Sequence, residues 1–211
     1  MPEGHTIHRY AARHRKALAG QTVATASPQG RFSGGASRLN GRKLLDVDAH
    51  GKHLFYRFDS GEVLHVHLGL FGKFRVRSLP APEPSPNARL VMETATDHLH
   101  LAGPTVCELL DPDGEDALRA RLGPDPILDP ADGADRLVAK LARRSISIGA
   151  ALHDQSVVAG IGNVYVQDPL FKAGIHPLRP INTLSGDELA RLWEALREKL
   201  QESIGNIIEE L

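Results

Sequence analysis

Two hydrophobic rhythms divide this chain and constrain its fold class more than any other feature. From Lys43 to about Asp111 apolar and polar residues alternate, as in "KLLDVDAHGKHLFYRF" and "EVLHVHLGLFGKFRVR". A period of two belongs to strands with one buried face. The two segments read as strands around the Asp59-Ser60-Gly61 turn, with a further strand from about Lys73 and two or three more in "RLVMETATDHLHLAGPTVCELLD". The proline-rich "SLPAPEPSPN" (78–87) reads as an exposed loop between strands, because the alternation resumes after it. Beyond "LGPDPILDPADG" (122–133) the spacing becomes helical, over 134–143, 146–153, 164–173 and a long final helix.

That last helix carries a capping-box signature, Ser185 with Glu188 three residues later. Its stripe of Leu189, Leu192, Trp193, Leu196, Leu200, Ile204 and Ile207 marks a core-facing side. A leading helix is expected from Thr6 to Ala19, with Ile7, Tyr10, Ala11, His14 and Leu18 on one side and Gly20 as its stop. The fold class is therefore α+β: a β-rich domain with a leading helix over 1–125, then a helical domain over 126–211.

Composition narrows the function. One cysteine, Cys107, excludes an internal disulfide framework and a four-cysteine zinc site, and fits a reducing, cytoplasmic compartment. No apolar run reaches bilayer length and no signal peptide precedes the first helix, so no membrane partner is expected. The formal net charge of −1 conceals an asymmetry: residues 1–78 hold 13 Lys/Arg against 5 Asp/Glu, and 79–211 hold 12 against 21. A basic first half suits a polyanion-binding face, although solvated faces also differ in charge by chance. The pairs in "HVH" and "HLH" would share a strand face, an arrangement more common among surface histidines than metal ligands; no metal and no cofactor are expected.

Two short stretches suggest chemistry. In "MPEGHT", removal of Met1 would leave Pro2 as a secondary amine of near-neutral pKa, able to attack a carbonyl carbon, with the Glu3 carboxylate beside it as general acid or base. In "DQSVVAGIGNVY" (154–165), glycines at 160 and 162 followed by Asn163 make a tight turn whose backbone N–H groups are free to bind an anion. By itself the second stretch is also an ordinary glycine turn between helices.

Taken together, "MPEGHT", "GKHLFYRF", "HLGLFGKF", "LGPDP" and "DQSVVAGIGNVY" occur in the order and spacing of the formamidopyrimidine-DNA glycosylase and endonuclease VIII family of base-excision repair enzymes, which this chain closely resembles from residue 2 to about 185. "Pro-Glu-Gly" and "AGPTVCEL" resemble the endonuclease VIII branch. The resemblance implies a β-sandwich with an N-terminal helix, a helix-two-turn-helix domain, and damaged double-stranded DNA bound by a monomer across the cleft between them. It implies a glycosylase and abasic-site lyase for oxidised bases, pyrimidines favoured. Pro2 would be the Schiff-base nucleophile and Glu3 the proton-handling group. Lys52, in the strand-borne "HGKH", would approach the damaged nucleotide and its phosphate, and Asn163 would hold a phosphate. His67 would contact a phosphate, and Leu70 and Phe71 would fill the gap left by an extruded base, their alternative being core packing at a hairpin.

Several positions depart from the family pattern. Members usually continue into a zinc ribbon, or a zinc-less counterpart, whose hairpin arginine grips phosphate, whereas this sequence finishes in the acidic "EKLQESIGNIIEEL". Asp168 replaces a usual glutamate and Pro169 follows it. With a helix starting near Asn163, that proline would shorten or kink it. Ser147 and His153 stand where proline and an apolar residue are expected. The alternative to an enzyme is a truncated or engineered DNA-binding module of the same fold without catalysis.

Overall fold

A computed structural model describes residues 2–128, 131–142 and 144–208, without the side chains of 205–208. Met1 and the Ile207 side chain, both invoked above, lie outside the described residues. The chain divides into two compact units, Met1–Pro2 with Ile7–Ala117, and Glu3–Thr6 with Leu118–Leu211. None of its described helices is long and apolar enough to cross a membrane.

The first unit is a β-sandwich. Helix α1 (Gly4–Leu18) leads into strand β1 (Ala24–Ala26) and the short helix α2 (Ser33–Leu39). Seven strands follow: β2 (Leu44–His50), β3 (His53–Phe58), β4 (Val63–His67), β5 (Lys73–Ser78), β6 (Ala88–Glu93), β7 (Asp97–Ala102) and β8 (Val106–Leu110). They form two antiparallel sheets, ordered β1-β6-β7-β5 and β2-β3-β4-β8. Alternation explains the core. Leu54, Tyr56 and Phe58 of β3, Leu64 and Val66 of β4, Leu90 and Met92 of β6, and Leu99 and Leu101 of β7 all enter one buried cluster with Ile7, Ala11 and Leu18 of α1. Full burial of each such leucine contributes roughly 1.5–3 kcal/mol. Inside it, His14 Nδ1 and the Tyr56 hydroxyl form a polar pair, 2.7 Å apart.

The structure corrects the strand count. Residues 43–58 are two strands, folded at Gly51-Lys52 so that His50 pairs with His53. Gly51 has φ 58° and Lys52 does not, the pattern of a II′ hairpin turn. Lys52 is thus a turn residue. Residues 78–87 do connect β5 to β6, and three strands follow them. Strand β1, helix α2 and helix α3 (Pro112–Arg121) were not signalled by periodicity.

The second unit is helical: α4 (Gly133–Leu141), α5 (Ile148–Leu152), a 3₁₀ turn at Asn163–Tyr165, α6 (Gln167–Ala173) and α7 (Gly186–Ile208). Leu189, Leu192, Trp193, Leu196 and Leu200 of α7 are buried against Leu137, Leu141, Leu152 and Leu170. Gly133 is required here, since a Cβ on it would lie 1.8 Å from the Trp193 ring. The capping box forms in both directions: Glu188 N–H donates to Ser185 Oγ at 3.2 Å, and Ser185 N–H donates to Glu188 Oε2 at 2.8 Å.

Of the two outcomes expected of Pro169, a shortened or a kinked helix, the structure has the shortened one. The turn at Asn163 is 3₁₀ and α6 begins afresh at Gln167. Pro169 is therefore in the first turn, where the missing N–H has no intrahelical partner to lose. Asp168 lies in the same turn, favourable for an acid at a helix start, and its Oδ2 meets Lys199 Nζ at 2.7 Å.

Candidate active site

The residue after Pro2 is anchored by the 154–165 segment, both within the second unit. Gly4 N–H donates to Gly160 O at 2.8 Å. The approach is so close that a Cβ on Gly4 would fall 2.9 Å from Gly160 Cα, and Gly160 itself has φ 91°. This contact sets the depth at which α1 begins and sinks Glu3 to 4% exposure. The Glu3 carboxylate then accepts a hydrogen bond from Val164 N–H, at 3.1 Å to Oε1. Its Oε2 is buried and has no hydrogen-bond partner among the described residues. A carboxylate with one oxygen fixed and the other unsatisfied is suited to taking or giving a proton, because the bare oxygen gains what folding has withheld from it.

The turn at 160–164 does offer a backbone N–H to an anion, and in this structure the anion is the chain's own Glu3. Its shape is stapled by Gln155, whose Oε1 accepts from Gly160 N–H at 3.0 Å and whose Nε2 donates to Ile161 O at 2.8 Å. Asp154 holds the segment's start, accepting from Ser156 N–H at 2.8 Å and from Arg144 Nη1 at 2.6 Å. The Ser156 hydroxyl also donates to Asp154 Oδ1 at 2.7 Å, and this bond first, then those from Ser156 N–H and Arg144 with the Arg144 charge, hold its carboxyl below the usual carboxylate range. The "LGPDP" stretch also serves this segment: Gly123 N–H donates to Gln155 O and Ala159 N–H to Pro124 O. Nothing in the sequence marked Gln155 beyond its place in the motif. A side chain two residues into a helix-to-helix turn, before a glycine pair, is the available signal.

Asn163 opens the 3₁₀ turn beside Val164 and is exposed, with no side-chain partner among the described residues. Tyr165 is buried, its hydroxyl donating to Ser203 Oγ at 3.0 Å, and its ring lies 4.8 Å from that of His5. The second unit thus brings together Glu3 and Asn163, with Pro2 joined to Glu3 by the peptide bond.

Within the β-sandwich the structure brings together Lys52 and His67. Lys52, in the β2–β3 turn, is only 7% exposed. His67 pairs with His53, the next residue after Lys52, and their rings are 4.8 Å apart. Burial first, then His65 and Lys52, push the His67 pKa down. A hydrogen-bonded chain backs this corner: His65 Nδ1 lies 2.9 Å from Glu108 Oε1, and His53 Nδ1 lies 2.8 Å from His65 Nε2. The Glu108 carboxylate accepts only, so neutral His65 carries its proton on Nδ1 and accepts from His53. Pairing of "HVH" with "GKH" across two strands was the signal that could have revealed this chain. Among the described residues no group of His, Cys, Asp and Glu is arranged to hold a metal.

Leu70 and Phe71 occupy the turn between β4 and β5 and are 65% and 80% exposed, so they do not pack in the core. The turn is tight at both ends. Gly69 has φ 65°, and a Cβ on Gly72 would lie 2.4 Å from Leu68 O. Two large apolar side chains held in water on a constrained tip lose little order on meeting an apolar partner.

Two family models match the chain: the formamidopyrimidine-DNA glycosylase N-terminal domain over residues 1–106 and the formamidopyrimidine-DNA glycosylase H2TH domain over residues 122–209. Endonuclease 8 1 of Mycobacterium tuberculosis is 45% identical over 201 residues, spanning 93% of this chain and 74% of that protein. The formamidopyrimidine-DNA glycosylase of Thermomicrobium roseum is 36% identical over 190 residues, 81% of this chain and 64% of that one. Among solved structures, a Lactococcus lactis Fpg complex with DNA containing an abasic site superimposes with a TM-score of 0.80 at 26% identity, covering 96% of this chain and 78% of that one. A complex of that protein with DNA containing N7-benzyl-Fapy-dG gives 0.81 at 27% identity, covering 97% and 79%.

Proposed function

Because the chain belongs to the formamidopyrimidine-DNA glycosylase and endonuclease VIII family of DNA-repair glycosylases, we propose that it is bifunctional, excising oxidised bases, pyrimidines above all, and then cleaving the strand through a Schiff base on Pro2. The observation that carries this reading is Glu3: next to Pro2, buried, one oxygen on Val164 N–H and the other unsatisfied. Preference for pyrimidines is supported by the higher identity to endonuclease 8 than to the formamidopyrimidine-DNA glycosylases.

The reacting form begins at Pro2, since an acylated proline nitrogen has no available lone pair. That lone pair bonds to C1′ of the damaged nucleotide as the bond from C1′ to the base breaks, and the base leaves with the bonding electrons and takes a proton from water. The new bond acidifies the Pro2 N–H; Glu3 Oε2 takes that proton and gives it to the sugar ring oxygen as the ring opens, leaving an iminium between Pro2 and C1′. The positive nitrogen acidifies C2′; loss of that proton expels the 3′ phosphate by elimination, and water then releases Pro2. Lys52 and His67 on the first unit, and Asn163 on the second, each hold a phosphate of the DNA, while Leu70 and Phe71 occupy the gap in the stack. The Lactococcus lactis protein complexed with abasic-site DNA supports damaged duplex as the partner.

The test is borohydride trapping on an abasic-site duplex at low salt, with protein whose free Pro2 terminus has been verified by mass spectrometry. A covalent adduct that vanishes in Pro2→Gly is expected. Duplex binding without any adduct would replace this reading by that of a non-catalytic DNA-binding module.

A further inference from the structure

On the other sheet of the sandwich, the β5–β7 register sets Arg75 opposite His100 and Arg77 opposite His98. All four side chains therefore stand on one face, and they line a cleft of about 170 Å³ that the 82–85 stretch of the proline-rich loop also walls. Neither guanidinium has an ion-pair partner among the described residues. Glu83 borders the same cleft but pairs with neither. His98, 4% exposed, is turned by its Nδ1, which lies 2.7 Å from Glu93 Oε1, so Nε2 is the nitrogen left for a ligand.

We propose that this cleft binds a phosphate-class oxyanion. Residues two apart on a strand stand roughly 6.6 Å from each other, so the two guanidinium forks reach an anion from separate sides while the imidazoles close a third. A tetrahedral oxyanion presents oxygens in three such directions and a planar carboxylate does not. At about 170 Å³ the cleft has room for several waters, and so for a phosphate group. The electrostatics agree. His100 has its pKa lowered by burial first, then by the positive charge of His98 and Arg75. A bound anion would reverse that effect. The cleft lining includes none of the residues assigned to catalysis, and its occupancy does not depend on the glycosylase reading. Free phosphate or a phosphomonoester, and the phosphodiester backbone of duplex DNA, share the required chemistry.

The experiment follows the imidazole resonances of His98 and His100 in the full chain by NMR, at constant ionic strength in chloride. One arm adds inorganic phosphate and the other an undamaged duplex, each to the wild type and to Arg75→Ala/Arg77→Ala, two exposed positions. Saturable movement of both resonances, a rise in the His100 pKa on binding, and at least tenfold weaker binding by the double variant are expected. Movement with phosphate alone identifies a free phosphate group as the ligand. Movement with duplex, together with a salt dependence of duplex affinity that flattens by about one unit of slope in the double variant, identifies the backbone. If neither ligand moves the resonances, or the wild type and the double variant respond alike, the proposal is overturned.

Discussion

Gly4 donates its amide hydrogen to the carbonyl of Gly160 at 2.8 Å, so the first turn of the leading helix is built directly on the glycine turn that precedes Asn163. The two motifs are one structure. A methyl group on Gly4 would push against backbone, 2.9 Å from Gly160 Cα and 3.2 Å from its oxygen, with no flexible side chain to yield. Gly4→Ala should therefore cost about 1–3 kcal/mol as an overpacking change. It should also displace Glu3 from Val164, lowering the rate of adduct formation at least tenfold. Thermal unfolding and single-turnover trapping on the same preparation measure both.

Glu3→Gln separates proton handling from anchoring. The amide oxygen can still accept from Val164 N–H, but the group cannot deliver a proton. Base release from a damaged duplex should fall by about 10²–10⁴, the usual share of a general acid or base. Trapping on a pre-formed abasic site should fall much less, because the abasic sugar already interconverts with its open-chain aldehyde and its ring oxygen does not depend on Glu3 for a proton. Stability should stay within about 1 kcal/mol, since the substitution removes a buried charge with an unsatisfied oxygen. Equal loss in both assays would place Glu3 in support of Pro2 alone.

How much of this was legible in the sequence depended on how local the cause was. The alternation of Leu64 and Val66 or of Leu99 and Leu101 is a local consequence of one buried face, and the Ser185–Glu188 cap spans a single turn; both were readable. The β2–β3 hairpin was hidden inside an unbroken alternating run. Its signal is a change of parity: the inward positions are odd at Val47 and Ala49 but even at Leu54, Tyr56 and Phe58. Pro2, Glu3 and Asn163 became candidates through the "MPEGHT" stretch and family resemblance. Gln155 and the Glu108–His65–His53 chain were not, because they depend on pairings between distant segments. Where the helix shortened by Pro169 begins was hidden for a related reason: the 3₁₀ turn that precedes it meets Glu3, 161 residues earlier.

The exposed pair at the β4–β5 tip gives a test with little structural interference. Leu70 and Phe71 have few neighbours to lose, so Leu70→Ala and Phe71→Ala should each change stability by no more than about 0.5 kcal/mol. If they fill the space left by an extruded base, both should slow base release, and affinity for a damaged duplex should fall more than affinity for single-stranded abasic DNA. Losses of equal size on the two substrates would remove the gap-filling role.

The His14–Tyr56 pair makes the sandwich acid-sensitive well above the carboxylate range. Burial, with Arg13 adding to it, lowers the His14 pKa from 6.5 to about 3, whereas the unfolded chain keeps the ordinary value. Between those two pH values the unfolded state binds the extra proton and the native state does not. Stability is therefore unaffected by His14 above 6.5 and is lost as pH falls below it, with a slope approaching about 1.4 kcal/mol per pH unit. His14→Phe alone would strand the buried Tyr56 hydroxyl, so the informative variant is His14→Phe with Tyr56→Phe, which keeps the ring packing against Phe74 and removes both polar groups. Urea unfolding at pH 7.5, 6.0 and 5.0 should show wild-type stability dropping faster than that of the double variant. Parallel decline of the two proteins would assign the acid loss to other groups.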